Sequence, residues 1–107
     1  MNVDLTQPMT TIDGNIIPNS KEDLSPVSAK TVCARALMTD LEDDKGKPEG
    51  KIKRFRCAEK IMNSDGVVDL EIEDMNEIET RLDKAFTSII YCRVKEIFDH
   101  AKIKNTK

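Results

Sequence analysis

The acidic run DLEDDKGKPEG (residues 40–50) is where residue types and spacing first suggest chemistry. Asp40, Glu42 and Asp44 stand at positions 1, 3 and 5 of a calcium-loop frame. That frame needs glycine at position 6 and a bidentate glutamate at position 12, where the chain has Lys45 and Lys51. A cation at the closing position opposes a metal, so the run is expected to be a charged, solvated, mobile loop.

His100, the one histidine, lies near the end of the last predicted helix. A nucleophile–histidine–carboxylate set would have to assemble on a helix end, whereas a cation there simply complements the helix dipole. Glu71, Glu73, Asp74 and Glu77 could do acid–base or metal work only from a closed pocket that shifts their pKa values. Grouped at a helix start, they fit a capping and solvent-facing role. Cys33, Cys57 and Cys92 are an odd number at wide spacings, with no CxxC pair. Each falls in a predicted helix and is expected to act as a small hydrophobe. There is no phosphate-cradling glycine loop and no His/Cys metal spacing. The expectation is therefore no catalytic, cofactor-binding or metal residue, and no enzyme.

The basic stretch carries more weight. Lys45, Lys47, Lys51, Lys53, Arg54, Arg56 and Lys60 face only Glu49 and Glu59 between them. A face of Lys53, Arg56 and Lys60 could lie on phosphates or on an acidic protein surface, or could simply be solvated. The net charge of −3 and the lack of a helix-turn-helix glycine turn weigh against nucleic acid.

These residues must be positioned by a small scaffold. A chain of 107 residues is one domain at most. With 38% hydrophobic residues, no Trp, one Tyr and three Phe, its core must be mainly aliphatic and marginal. No apolar run is long enough to span a membrane. The start, MNVDLTQPMT, has neither a basic nor an apolar leader segment. Together with unpaired cysteines, this predicts a cytoplasmic protein without membrane contact.

The organising stretch is 67–101. Val68, Leu70 and Ile72 alternate with acids as in a short strand, then Met75, Ile78, Leu82, Ala85 and Phe86 follow helical spacing. A second stripe follows in Ile90, Val94, Ile97 and Phe98, with a break at Thr87. Residues 1–24 read as an arm in which Asp13-Gly14 forms a tight two-residue hairpin and Val3 and Leu5 pair beside 68–72. Asn19 to Asp23 reads as a polar linker. Ser25 and Pro26 announce the first helix, whose apolar face is Ala29, Val32, Cys33, Ala36, Leu37 and Leu41. The second runs over 51–62 with Phe55, Ala58 and Met62 inward, flanked by Ile52 and Ile61. The prediction is a mainly α fold: a small bundle of about four helices over 25–101, with a short N-terminal β-hairpin arm and a frayed tail over 102–107.

Taken together, the Asp13-Gly14 turn, the Ala36-Leu37 helix end, RFRCAEKI (54–61), VDLEIEDM (68–75) and KAF (84–86) resemble small, mostly uncharacterised proteins of tailed bacteriophages and prophages. That group commonly has Ser or Thr where this chain has Glu71, and Pro where it has Ser88. The resemblance implies a helical viral protein in the host cytoplasm and carries no catalytic motif. The expected function is a non-enzymatic protein–protein interaction or virion-assembly protein that self-associates as a dimer. Ile89 and Tyr91 lie outside the main stripe of the last helix and would form the contact. The alternative is a small nucleic-acid-binding regulator using the basic helix 51–62.

Overall fold

The computed structural model describes residues 1–104, and the chain is mainly α within them. In order come β1 (Asn2–Asp4), α1 (Ala29–Met38), α2 (Pro48–Met62), β2 (Val67–Asp69), α3 (Ile72–Ala85) and α4 (Ser88–Lys104). The two strands pair antiparallel, with Val3 opposite Val68. Period-2 alternation then buries Val3, Leu5, Val68 and Leu70 while Asn2, Asp4, Val67 and Asp69 stay outside. The Leu5 N–H donates to the Gly66 carbonyl at 2.7 Å and the Leu70 N–H to that of Met1 at 2.9 Å, extending the pairing at both ends. The first strand thus lies beside 67–69, as the alternation predicts.

On α3, Met75, Ile78 and Leu82 are fully buried, while Ala85 is exposed and Phe86 half-buried. Phe86 leaves the helix in an extended conformation. The α4 ladder then begins with the Tyr91 N–H donating to the Thr87 carbonyl at 3.1 Å. The helix break therefore falls where the sequence places it. Ile90, Val94 and Phe98 on α4 are buried against the same core, and Ile97 is half-buried. Lys95 ties the two helices at their surface, 3.6 Å from Glu79 on α3 and 3.0 Å from Asp99 on its own helix.

The arm is more ordered than a polar linker and a two-residue turn would be. Thr11 N–H donates to the Asn15 carbonyl and Gly14 N–H to that of Thr11. The turn is thus three residues wide, and Gly14 sits at φ +86°, a left-handed position that suits glycine. A second turn closes where Asn19 N–H donates to the Ser25 carbonyl at 2.9 Å. At their common base three segments meet in a ring. Met9 N–H donates to Val27 O, Val27 N–H to Ile17 O, and Ile17 N–H to Met9 O, at 2.8, 3.0 and 3.0 Å. Met9 and Val27 are buried, so the arm forms part of the core.

This ring also moves the start of the first helix. Ser25 and Pro26 satisfy the capping pattern, yet Pro26 is drawn into a bridge with Pro18 and Val27 into the ring. The N-cap is Ser28, whose Oγ accepts from Thr31 N–H at 3.3 Å. Two further N–H groups at the start of α1 find the arm: Ala29 donates to Gln7 O and Lys30 to Leu5 O. At the far end, α4 runs three residues into the stretch expected to fray, to Lys104. The rest of that tail, 105–107, lies outside the described residues.

Candidate functional site: the outer face of α2

α2 is oriented differently from the pattern expected of it. Arg54, Ala58 and Ile61 are buried, and Phe55, Ile52 and Met62 face out at 53%, 58% and 47% exposure. The cause is Arg54 itself, which is only 6% exposed. Its Nε donates to the Leu37 carbonyl at 3.2 Å, and its Nη1 lies 3.5 Å from Asp44 Oδ1.

Asp44 is the hub of this buried network. Arg81, on α3 and 3% exposed, grips it with both prongs: Nη1 to Oδ2 at 2.8 Å and Nη2 to Oδ1 at 2.7 Å. Such a two-pronged pair is the strong geometry for arginine and carboxylate. Arg81 also donates to the Thr39 carbonyl at 2.7 Å and, through Nε, to Glu77 at 2.9 Å. Leu41 N–H adds a bond to Asp44 at 2.7 Å. The hydrogen bonds from Arg81 foremost, then that from Leu41, hold the Asp44 carboxyl well below the usual carboxylate range, although burial opposes this. The same bonds to Asp44 raise the pKa of Arg81. The loop over 40–50 is therefore not wholly solvated: its 3₁₀ turn at Glu42–Asp44 is pinned through Asp44, while Glu42 and Asp43 stay exposed. Asp44, one of the three loop acids in the calcium frame, is committed to arginine.

With Arg54 inward, a side of the helix centred about 120° from it gathers apolar surface. Ile52, Phe55, Glu59 and Met62 follow a 3-4-3 spacing and share a sector of about 80° at 100° per residue. Lys51 borders this sector on one side and Arg56 on the other, with Lys60 and Lys53 beyond Arg56; all four are exposed. Lys53 reaches Glu73 at 3.6 Å. The predicted Lys53, Arg56 and Lys60 thus stand together on one flank of an apolar strip. Ile89 and Tyr91 do not join them. Both are half-buried against the core on α4, whereas Ile52, Phe55 and Met62 on α2 are exposed.

Two other depressions are less suited to chemistry. A cleft of about 280 Å³ between α2 and α3 is lined by Lys53, Arg54, Cys57, Glu73, Asp74 and Glu77. Within it, Asp74 accepts from the Glu71 N–H at 3.0 Å, capping α3, and Glu77 is taken up by Arg81. Burial first, then the Asp74 charge, pushes the Cys57 thiol up to about 11, which keeps it protonated. A wider groove of about 1110 Å³ between the arm and α4 mixes Asp4 and Glu96 with Arg93, His100 and Lys104. Arg93 is committed there to the Thr10 and Thr11 carbonyls. Cys33 is buried, which drives its pKa upward, whereas Cys92 is exposed, contrary to its expected role as a packed hydrophobe.

The residues missed in the sequence are Ile52, Phe55 and Met62 as surface and Arg54, Asp44 and Arg81 as interior. One signal was present: Arg54 recurs at i, i+4 and i+7 with Ala58 and Ile61, a stripe hidden because its first member is a cation. Among the described residues, no helix is long and apolar enough to cross a membrane, and no group of three or more His, Cys, Asp or Glu could hold a metal. No protein-family model, curated protein or solved structure matches the chain.

Proposed function

We propose that this chain is a non-enzymatic docking protein that engages another protein through the outer face of α2. One observation carries the reading: α2 buries an arginine and exposes Ile52, Phe55 and Met62. Burying a cation costs several kcal/mol unless it is paired, as Arg54 is here. Keeping large apolar groups in water also forgoes roughly 1.5–3 kcal/mol for each that could be buried. The fold thus leaves three large apolar groups in water on one helix, and exposed apolar side chains gathered on one face favour a docking role. The resemblance to small tailed-phage proteins suggests the setting, virion assembly or the capture of a host factor.

A photo-crosslinking side chain at position 55 tests this in cells that make the protein. The expected result is a discrete protein adduct that is absent when the same group stands at exposed Asp83 on α3. Equal adduct patterns from both positions would refute the docking face. Nucleic-acid adducts at position 55 would favour the alternative, in which Phe55 stacks on bases beside Arg56.

A further inference from the structure

We infer that the partner segment is an acidic amphipathic α-helix lying along α2, with its register set by Glu59; this rests on the docking reading above. The strip is not a featureless patch. Ile52, Phe55, Glu59 and Met62 fall at the spacing of alternate a and d positions, the seam along which a second helix seats its side chains. Lys51 and Arg56 flank the seam on opposite sides, where the e and g positions of a coiled coil set partner choice by charge. Lys53 and Lys60 add charge on the Arg56 side, where the acids are Glu49 in the first turn and Glu73 of α3, 3.6 Å from Lys53. The complement is a helix with apolar seam residues and carboxylates on both flanks.

Glu59 narrows the choice further. It sits inside the seam, between Phe55 and Met62 along the axis. A lone acid there opposes phosphates and lipid headgroups, which would meet it at the centre of the contact. A partner helix can answer it with a single Arg or Lys at the facing position, and one polar seam pair fixes register at a cost in stability. A second copy of this chain is a poorer fit. A two-fold contact uses the same patch on both subunits, so it would bring Lys51, Lys53, Arg56 and Lys60 together with their own duplicates.

Fluorescent helical peptides roughly three heptads long test this against the full chain by anisotropy. One set has Leu at the seam and Glu on the flanks, another Lys on the flanks, and each is made with Arg or Glu facing Glu59. The acidic-flanked peptide with Arg in the seam should bind at least about tenfold tighter than the basic one, and more weakly as salt rises. Phe55→Asp should weaken it about tenfold or more with an unchanged melting curve, since Phe55 is not in the core. Glu59→Lys should reverse the preference from the Arg-bearing to the Glu-bearing peptide. Equal binding of acidic and basic peptides, no binding by about 1 mM, or indifference to Phe55→Asp would overturn the inference. Tighter binding to a single-stranded oligonucleotide or to phosphatidylserine vesicles, or a dimer abolished by Phe55→Asp, would also do so. Position-55 protein crosslinks without this peptide preference would leave the docking face standing and remove only the acidic helix.

Discussion

Arg81→Met is the perturbation that most directly probes the buried network around Asp44, to which Arg54 of α2 is tied. Methionine keeps the unbranched stem and removes the guanidinium, and with it the two prongs to Asp44 and the bonds to the Thr39 carbonyl and Glu77. Asp44 is then left with the Leu41 N–H and with Arg54 at 3.5 Å. Breaking a buried pair by removing one partner costs about 3–5 kcal/mol. Because Arg54 still offers some countercharge, the expected loss is near the lower end, about 3 kcal/mol. Against a total stability of about 5–15 kcal/mol for a small domain, the variant should fold but be much weakened. With a urea slope of about 1–3 kcal/mol per molar, the unfolding midpoint should fall by roughly 1–3 M with the slope unchanged. Trypsin should also cut after Lys45 faster than in the parent, because the turn bearing Asp44 is released. A midpoint shift below about 0.3 M, with unchanged trypsin cutting, would show that the network is solvated and does not hold the loop.

Other outcomes follow from the same structure. Because the folded-state pKa of Asp44 is depressed, its contribution is complete above the unfolded value of about 4 and is lost as pH falls below it. The stability gap between parent and Arg81→Met should therefore be constant from pH 7 to about 5 and narrow below pH 4 in urea titrations. Leu82→Ala, at a fully buried site, should cost about 2–5 kcal/mol by the same assay. A thiol reagent at neutral pH should label Cys92 first and Cys57 slowly, reaching Cys33 only on unfolding, as mass spectrometry of the modified peptides would show. Gly66→Ala should destabilise by about 1–3 kcal/mol, because φ is +114° and the added Cβ would lie 2.3 Å from Thr6 Cγ2.

The parts of this fold that could be read in advance are those governed by local period. Met75, Ile78 and Leu82, then Ile90, Val94 and Phe98, are apolar at helical spacing and are buried as that spacing requires. Val3 beside Val68 follows from alternation on both segments. The misread parts are governed by partners distant in sequence. The stripe that Arg54 shares with Ala58 and Ile61 does not by itself bring a cation inside, because the partners that do so are Asp44 in a loop and the Leu37 carbonyl at the end of α1. Once Arg54 turns in, Phe55 and Ile52 must turn out, so one non-local ion pair reassigns a whole helix face. The start of α1 was missed for a related reason. Ser25 and Ser28 both suit a cap, and the choice between them rests on backbone bonds to Leu5, Gln7, Met9 and Ile17. Ile89 and Tyr91 fall outside the main stripe in projection, yet both are partly covered by the core.

The ring of backbone bonds joining Met9, Ile17 and Val27 has a consequence for engineering. Each of the two turns between its members leaves the ring and returns to it, and the bonds that close the ring lie at the base, away from the tips. Lengthening either turn at its tip therefore costs the bonds that span that tip, such as Gly14 N–H to the Thr11 carbonyl, and a loop-closure entropy of about 0.6 kcal/mol for each doubling of length. The tips at Asp13 and Glu22 are exposed. A tag or a small binding peptide spliced into either tip should be carried as cargo on a fixed three-point mount, leaving the α2 face free.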